Sequence, residues 1–398
     1  MKKSLFGVAA LLLVLLFVSG CAGNYDPTET PNVLSDGSKA EVLPQEVKEP
    51  FPPDITLKFA ACGDNIIYTG TMRDAKSLAL EGGRKYNFAP LYENIKDIIS
   101  GADIAFINQE TPMAANVEYG SYPHFNSPRD LADDMIEAGF DIVNIATNHM
   151  LDAGSEGLKS TIEFWKTKPV TMIGGYENEE DFDTIRIYEK DEMKIALLSF
   201  TYGTNGLKLR SGYDIIIPYI DETVIREKVN AAKKVADLVF VSMHWGNENS
   251  FKPNDEQQRL ASVMAELGVD VIIGHHPHVL EPIEWIEGEG GHKTLCIYSL
   301  GNLVAEQARD YNLVGGVMTF DIVRKNGEYS IETPYFIPTV YYYSKSFYKN
   351  SVHLMENFTD EMAKSIGLSY YGQSTTVERL RGYVTKTIDA QFLPDYLK

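Results

Sequence analysis

Cysteine is nearly absent: the 398 residues contain three, Cys21, Cys62 and Cys296. That number excludes a disulfide framework. Cys62 and Cys296 each follow apolar, strand-like residues and read as buried thiols. Positive charge is also scarce, with 36 Lys and Arg against 56 Asp and Glu and a formal charge of -20. No Lys/Arg cluster is present, and neutralising a phosphate backbone requires one, so nucleic acid is excluded as a partner. No repeat of fixed period interrupts the chain. What is abundant is apolar content, 44%, which over this length supports a real core and a globular fold.

One apolar run stands apart. Leu5–Val18 follows Lys2 and Lys3, is short for a membrane span, and leads through Ser19 and Gly20 to Cys21. That is the pattern of a secretory signal, and Val18-Ser19-Gly20-Cys21 resembles a bacterial lipobox. The resemblance implies a signal over residues 1–20 and a lipid on Cys21 that anchors the protein outside the cytoplasm, at the cell membrane. An uncleaved anchor is the alternative. Residues 21–54 are polar and punctuated by Pro27, Pro31, Pro44, Pro50, Pro52 and Pro53, which suits an extended tether without chemistry.

From Ile55 onward, apolar runs alternate with amphipathic stretches. The expected strands are 55–62, 104–107, 142–146, 195–200, 238–242, 269–273 and 295–299. Helical patterns lie at 88–99, 129–138, 158–165, 224–235 and 257–267, an alternation that predicts α/β architecture. Ser127, Pro128 and Asp130 predict a capped helix start. Residues 55–325 form the main domain in this reading. Residues 326–398, with Tyr335, Phe336, Tyr341, Tyr342, Tyr343, Phe347 and Tyr348, read as an extension packed on it.

The chemistry collects where strands end. Val269–Pro282 reads VDVIIGHHPHVLEP and turns a buried strand pattern directly into histidines. In α/β sheets ligands gather beyond the carboxyl ends of strands, so His276 and His278 can share one cleft, with Pro277 stiffening the turn between them. A surface loop that is merely His-rich is the alternative. Four further strands end in comparable groups: Asp64 and Asn65; Asn108 and Glu110; Asn148, His149 and Asp152; His244, Trp245 and Glu248. One such residue is commonplace as a cap or turn; five strand ends on one sheet edge predict a metal centre.

In this order, GDN at Gly63, NQE at Asn108, TNHMLDAG at Thr147, HWGNE at His244, GHHPH at Gly274 and SLGN at Ser299 resemble the CapA family of poly-γ-glutamate capsule-synthesis proteins, within the calcineurin-like metallophosphoesterases. The resemblance implies a four-layer α/β/β/α sandwich holding one or two divalent ions, with manganese, iron or zinc suited to the oxygen-rich mixed donor set. It implies that Asp64 and His278 serve a first metal, that Glu110 bridges, and that Asn148, His244 and His276 serve a second. His149 is then a general acid oriented by Asp152. The superfamily's Asp-x-His is broken here by Ile66, so Glu248 or water completes the first site, or that site binds weakly. His275 is expected to face away from the ligands. His124 is a candidate cleft residue, Asn302 a support, and Trp245 and Tyr298 wall packing. The implied activity is metal-dependent hydrolysis of a phosphoester or γ-glutamyl bond, with poly-γ-glutamate or its synthase and export subunits as partners. A non-catalytic accessory role is the alternative.

Overall fold

Alternation of apolar residues along successive strands separates two sheets and the helices that cover them. The structure, a computed structural model, describes residues 52–79, 83–115 and 117–398. The signal, Cys21 and nearly all of the tether lie outside these residues. The strands are β1 (Ile55–Asn65), β2 (Ile104–Gln109), β3 (Ile142–Asn144), β4 (Thr171–Ile173), β5 (Arg186–Lys190), β6 (Met193–Thr201), β7 (Leu238–His244), β8 (Val271–His275), β9 (Ile283–Glu287), β10 (Lys293–Ile297), β11 (Asn302–Val304), β12 (Val314–Lys325), β13 (Glu328–Tyr342) and β14 (Ser351–Leu354). The helices are α1 (Thr69–Ser77), α2 (Ala89–Tyr92), α3 (Lys96–Ser100), α4 (Asp130–Ala138), α5 (Gly154–Trp165), α6 (Glu179–Asp183), α7 (Glu222–Ala232), α8 (Asp255–Glu266), α9 (Asp360–Ser365) and α10 (Val377–Thr387).

The first sheet runs β14-β13-β12-β1-β2-β3-β4, with β11 paired to the end of β1; the second runs β5-β6-β7-β8-β10-β9. Pairing is parallel through β1-β2-β3-β4 and through β6-β7-β8-β10, so each sheet presents a row of carboxyl ends. Phe59 of β1 meets Phe240 of β7 edge-on at 5.3 Å and stacks on Phe320 of β12 at 4.9 Å, which marks the seam between the sheets. In the second sheet Ile195, Leu197, Leu238, Val271, Ile273, Leu295 and Ile297 join that seam. Their neighbours Ala196, Leu198, Val239, Val241, Ile272 and Cys296 instead form a second core with α7 and α8. A period of two sends alternate side chains to opposite faces, and both faces here are buried. On the far face of the first sheet Asn65 reaches the Tyr92 hydroxyl of α2 and the Met135 sulfur of α4, completing the α/β/β/α order.

Two local expectations change. The pattern over 88–99 breaks into α2 and α3, and Ser127 does not cap α4: its hydroxyl pairs with Thr111 Oγ1 at 2.7 Å instead. A genuine capping box, Asn254 with Gln257, starts α8. Residue 326 lies in the turn between β12 and β13, so β13 and β14 are strands of the first sheet, while α10 packs Leu380 and Val384 into the core. Cys62 and Cys296 are buried and free. No helix among the described residues is long and apolar enough to cross a membrane.

Candidate metal centre

Asp64 points into the seam because β1 is irregular. Phe59 and Asp64 both face the second sheet although their offset along the strand, five positions, is odd; the register of β1 against β2 shifts between Cys62 and Asp64. Such a bulge re-aims the side chains that follow. Gly63 permits it: a Cβ there would lie 2.0 Å from the Gly301 carbonyl oxygen, beneath the turn after β10. On β2 Phe106 and Asn108 face the seam, and Glu110, the first residue past its end, continues that face. Asn108 donates to Asp64 Oδ1 at 2.8 Å and accepts from Asn144 Nδ2 at 2.7 Å, and Asn144 accepts in turn from the Ser199 hydroxyl. This buried polar ladder crosses from the first sheet to the second and holds Asp64 in place.

Three of the imidazoles, those of His244, His276 and His278, come from the second sheet, and His149 follows β3 of the first. His276 and His278 have φ of 97° and 58°, the left-handed region that disfavours side chains, and this backbone folds the turn so that both rings return to the cleft. His278 Nδ1 lies 3.1 Å from both Asp64 Oδ2 and Asn302 Oδ1; both are acceptors, so Nδ1 carries the proton and Nε2 faces inward, 3.7 Å from Glu110 Oε1. His244 Nε2 stands 3.8 Å and His149 Nε2 4.0 Å from the same oxygen. His244 Nε2 also lies 2.9 Å from Asn148 Oδ1. His149 Nδ1 is 2.7 Å from Asp152 Oδ2, and its ring sits edge-on to Phe125 at 4.8 Å.

Two ligand sets converge within 4.8 Å: Asp64, Glu110 and His244, and Glu110, His276 and His278. Glu110 belongs to both. The resemblance divides the same residues differently, with His244 beside His276 and Asp64 beside His278. Both Glu110 oxygens, His244 Nδ1 and His276 Nδ1 are buried without a hydrogen-bond partner. A buried polar atom left unpaired costs about 1–3 kcal/mol, and several in one place, with this donor set, suit a cation. Burial and then the Asp64 charge push the Glu110 carboxyl well above its ordinary range. Burial would raise Asp64 too, but the adjacent His275 and His278 imidazoles hold it well below the usual carboxylate range. Burial lowers His276 to about 3 and His244 well below its ordinary value, so both imidazoles are neutral and ligand-ready. His278 is lifted to about 9, because Glu110 and Asp64 outweigh its burial.

The structure thus gathers Asp64, Asn108, Glu110, Asn148, His149, Asp152, His244, His276, His278 and Asn302. His275 does not turn away: as the last residue of β8 it keeps the inward face of Val271 and Ile273, stacks on Phe106 at 5.6 Å and brings Nδ1 to 3.6 Å from Asp64 Oδ1. Trp245 is not at the cluster; it lies in the helix-facing core, where its indole N–H donates to the Tyr298 carbonyl. Asn65, past the bulge, also faces the helices, bonded to Gln109 at 2.7 Å. His124 and Glu248 are exposed on their loops. Ile66 packs with Phe125 and Ala305, so its position offers no ligand. Tyr202 and Asn205 were not anticipated. Tyr202 lies 4.5 Å from the His276 ring, and Asn205 accepts from Asn148 Nδ2 at 3.2 Å and approaches His149 Nδ1 at 3.4 Å. They follow β6, so the strand-end rule applied to that strand would have found them.

The chain is 30% identical over 242 residues to the PGA biosynthesis protein CapA of Bacillus subtilis, covering 60% of this chain and 62% of that one. With the capsule biosynthesis protein CapA of Bacillus anthracis identity is 35% over 188 residues, 46% and 44% of the respective chains. The chain therefore matches less than two thirds of either relative's length. Among solved structures, a phosphatase from Mycoplasma pneumoniae aligns over 72% of this chain and 95% of its own, at 14% identity and a TM-score of 0.45. A calcineurin-like phosphoesterase, YfkN from Bacillus subtilis, aligns over 84% and 97%, at 14% identity and a TM-score of 0.42. The family model of bacterial capsule synthesis proteins, PGA_cap, matches residues 58–307, and the chain belongs to that family.

Proposed function

We propose that this protein acts in poly-γ-glutamate capsule biosynthesis as a surface-anchored, metal-dependent hydrolase of a phosphoester or γ-glutamyl bond. The observation that carries the reading is Glu110: a buried carboxylate with both oxygens free and three imidazole Nε2 atoms, those of His149, His244 and His278, within 4.0 Å. Asp64, Glu110, Asn148, His244, His276 and His278 would hold one or two divalent ions. Such an ion supplies Lewis-acid polarisation of the scissile centre and eases deprotonation of water. The chain's own residues do the rest. Asp152 fixes the His149 ring through Nδ1, and Nε2, facing the cluster, delivers a proton to the leaving group. Asn205 and Tyr202 border that face and would contact substrate.

The test is metal analysis of purified protein followed by a phosphoester and γ-glutamyl substrate screen with His149→Ala alongside. The variant should retain metal and lose about 10²- to 10⁴-fold in rate, with a smaller loss on substrates whose leaving group needs no proton. No turnover by metal-loaded wild type, together with capsule formation supported by His149→Ala, would leave the accessory reading. Two observations favour that second reading: Ile66 stands where the superfamily has a ligand, and a Mycobacterium tuberculosis relative, 23% identical, is named a probable polyglutamine synthesis accessory protein. The anchoring part rests on the residues before Cys21. Cys21→Ala should release protein from membranes or block processing; unchanged retention and mature mass would reject it.

A further inference from the structure

The family match ends at residue 307, yet residues beyond it reach the cluster. After β11 the chain makes a 3-10 turn, Asp310–Leu313, in which Asp310 and Asn312 are both buried. Asn312 Nδ2 donates to the His278 carbonyl at 3.0 Å and to Asn249 Oδ1 at 2.9 Å, using both of its protons. The Asn312 carbonyl accepts from Asn302 Nδ2 at 2.9 Å, and Asn302 is the residue whose Oδ1 faces His278 Nδ1. The Asn249 backbone N–H donates to the Pro277 carbonyl at 2.7 Å. One asparagine thus ties the loop after β7 to the loop after β8, at the carbonyl of a residue whose left-handed backbone persists only where its surroundings hold it.

The turn is itself held from the C-terminal end of the chain. Asp310 accepts from Thr375 Oγ1 at 2.9 Å, from Arg379 Nε at 2.9 Å and from the Tyr383 hydroxyl at 3.0 Å. The Tyr383 ring stacks on Phe251, in the loop that follows His244, at 5.6 Å and 16°. The helix α10 therefore grips both the turn and the loop that the turn braces.

We propose that α10 is a positioning element for the metal centre: acting through Asp310 and Asn312, it fixes the His278 carbonyl and so aims the His278 ring at Asp64 and Glu110. This rests on the metal-binding reading above. Partners that orient a ligand typically change metal affinity by about 10- to 100-fold when removed.

The test is calorimetric titration of the purified full-length protein with manganese and with zinc, each alone, for wild type, Asn312→Ala, Tyr383→Phe and the double variant, with the exposed Glu378→Gln as control. Asn312→Ala should bind about 10- to 100-fold more weakly, Tyr383→Phe should show a smaller loss, and the control should match wild type. The double variant should lose less than the product of the single losses, because both act through one turn. A lowered melting temperature with unchanged affinity in Asn312→Ala would mean that the turn only supports the fold, and would overturn the proposal. Should Asn312→Ala not fold, Tyr383→Phe decides, and wild-type affinity there overturns it. Wild type binding neither metal is a different result, which removes the metal reading and this inference with it.

Discussion

Glu110 is buried with both oxygens unpaired among imidazoles, which makes a cation its natural partner. If His276 and His278 are ligands, His276→Ala or His278→Ala should bring bound metal well below wild type, measured by elemental analysis. His292→Ala should not, since that ring bonds the Val269 carbonyl at the opposite end of β8. Equal metal in all three would reject the cluster as a binding site. A second buried acid behaves differently. Glu281 accepts from Gln257 Nε2 at 2.6 Å through one oxygen, its other oxygen is unpaired, and burial raises its pKa to about 8. A carboxyl whose folded pKa is raised binds its proton in the native state after the unfolded chain has released it. Its contribution is thus fully present below the ordinary value of 4.5 and is lost as pH rises towards about 8. Glu281→Gln, which stays neutral, should gain in melting temperature relative to wild type as pH goes from 5 to 8. A pH-independent difference would refute this.

At the scale of elements, the site depends on two backbones passing at contact distance. Gly63 lies against the Gly301 carbonyl, so Gly63→Ala forces β1 away from the turn after β10 and should destabilise by roughly 1–3 kcal/mol, as overpacking does. Gly382 in α10 has open space where a Cβ would go, and Gly382→Ala should stabilise by about 0.5–1 kcal/mol through helix propensity. Urea denaturation of both variants reads the two signs. Similar values for the two would mean that the close approach at Gly63 is not what sets the bulge. The same elements distribute the donors: the first sheet's strands lead to Asp64, Glu110, Asn148 and His149 and the second sheet's to His244, His276 and His278, because the parallel strands of each sheet end together and the cleft lies between the two rows of ends.

For the whole molecule, a ligand that binds only the folded chain stabilises it by mass action, about 2.7 kcal/mol at a hundredfold excess over Kd. Manganese or zinc should therefore raise the melting temperature of wild type, a chelator should reverse the rise, and His278→Ala should show little of it. A shift of equal size in His278→Ala would place the binding elsewhere. The sequence by itself determined the α/β alternation and that Asp64, Glu110, His149, His244 and His276 come at or after strand ends, because strand periodicity and the residues just past a strand end are local properties. It placed them on one sheet edge, whereas they come from two sheets whose rows of ends face one cleft. Tertiary structure decided which way those residues point and what holds them. Asp64 faces the seam and Asn65 the helices only because Gly63 lets β1 bulge beneath Gly301. His275 turns inward with the alternation of β8, and Trp245 turns outward with that of β7. Asn312, far along the chain from His278, meets its carbonyl only when β11 and the following turn close over the cleft, a contact between distant residues that no local pattern encodes.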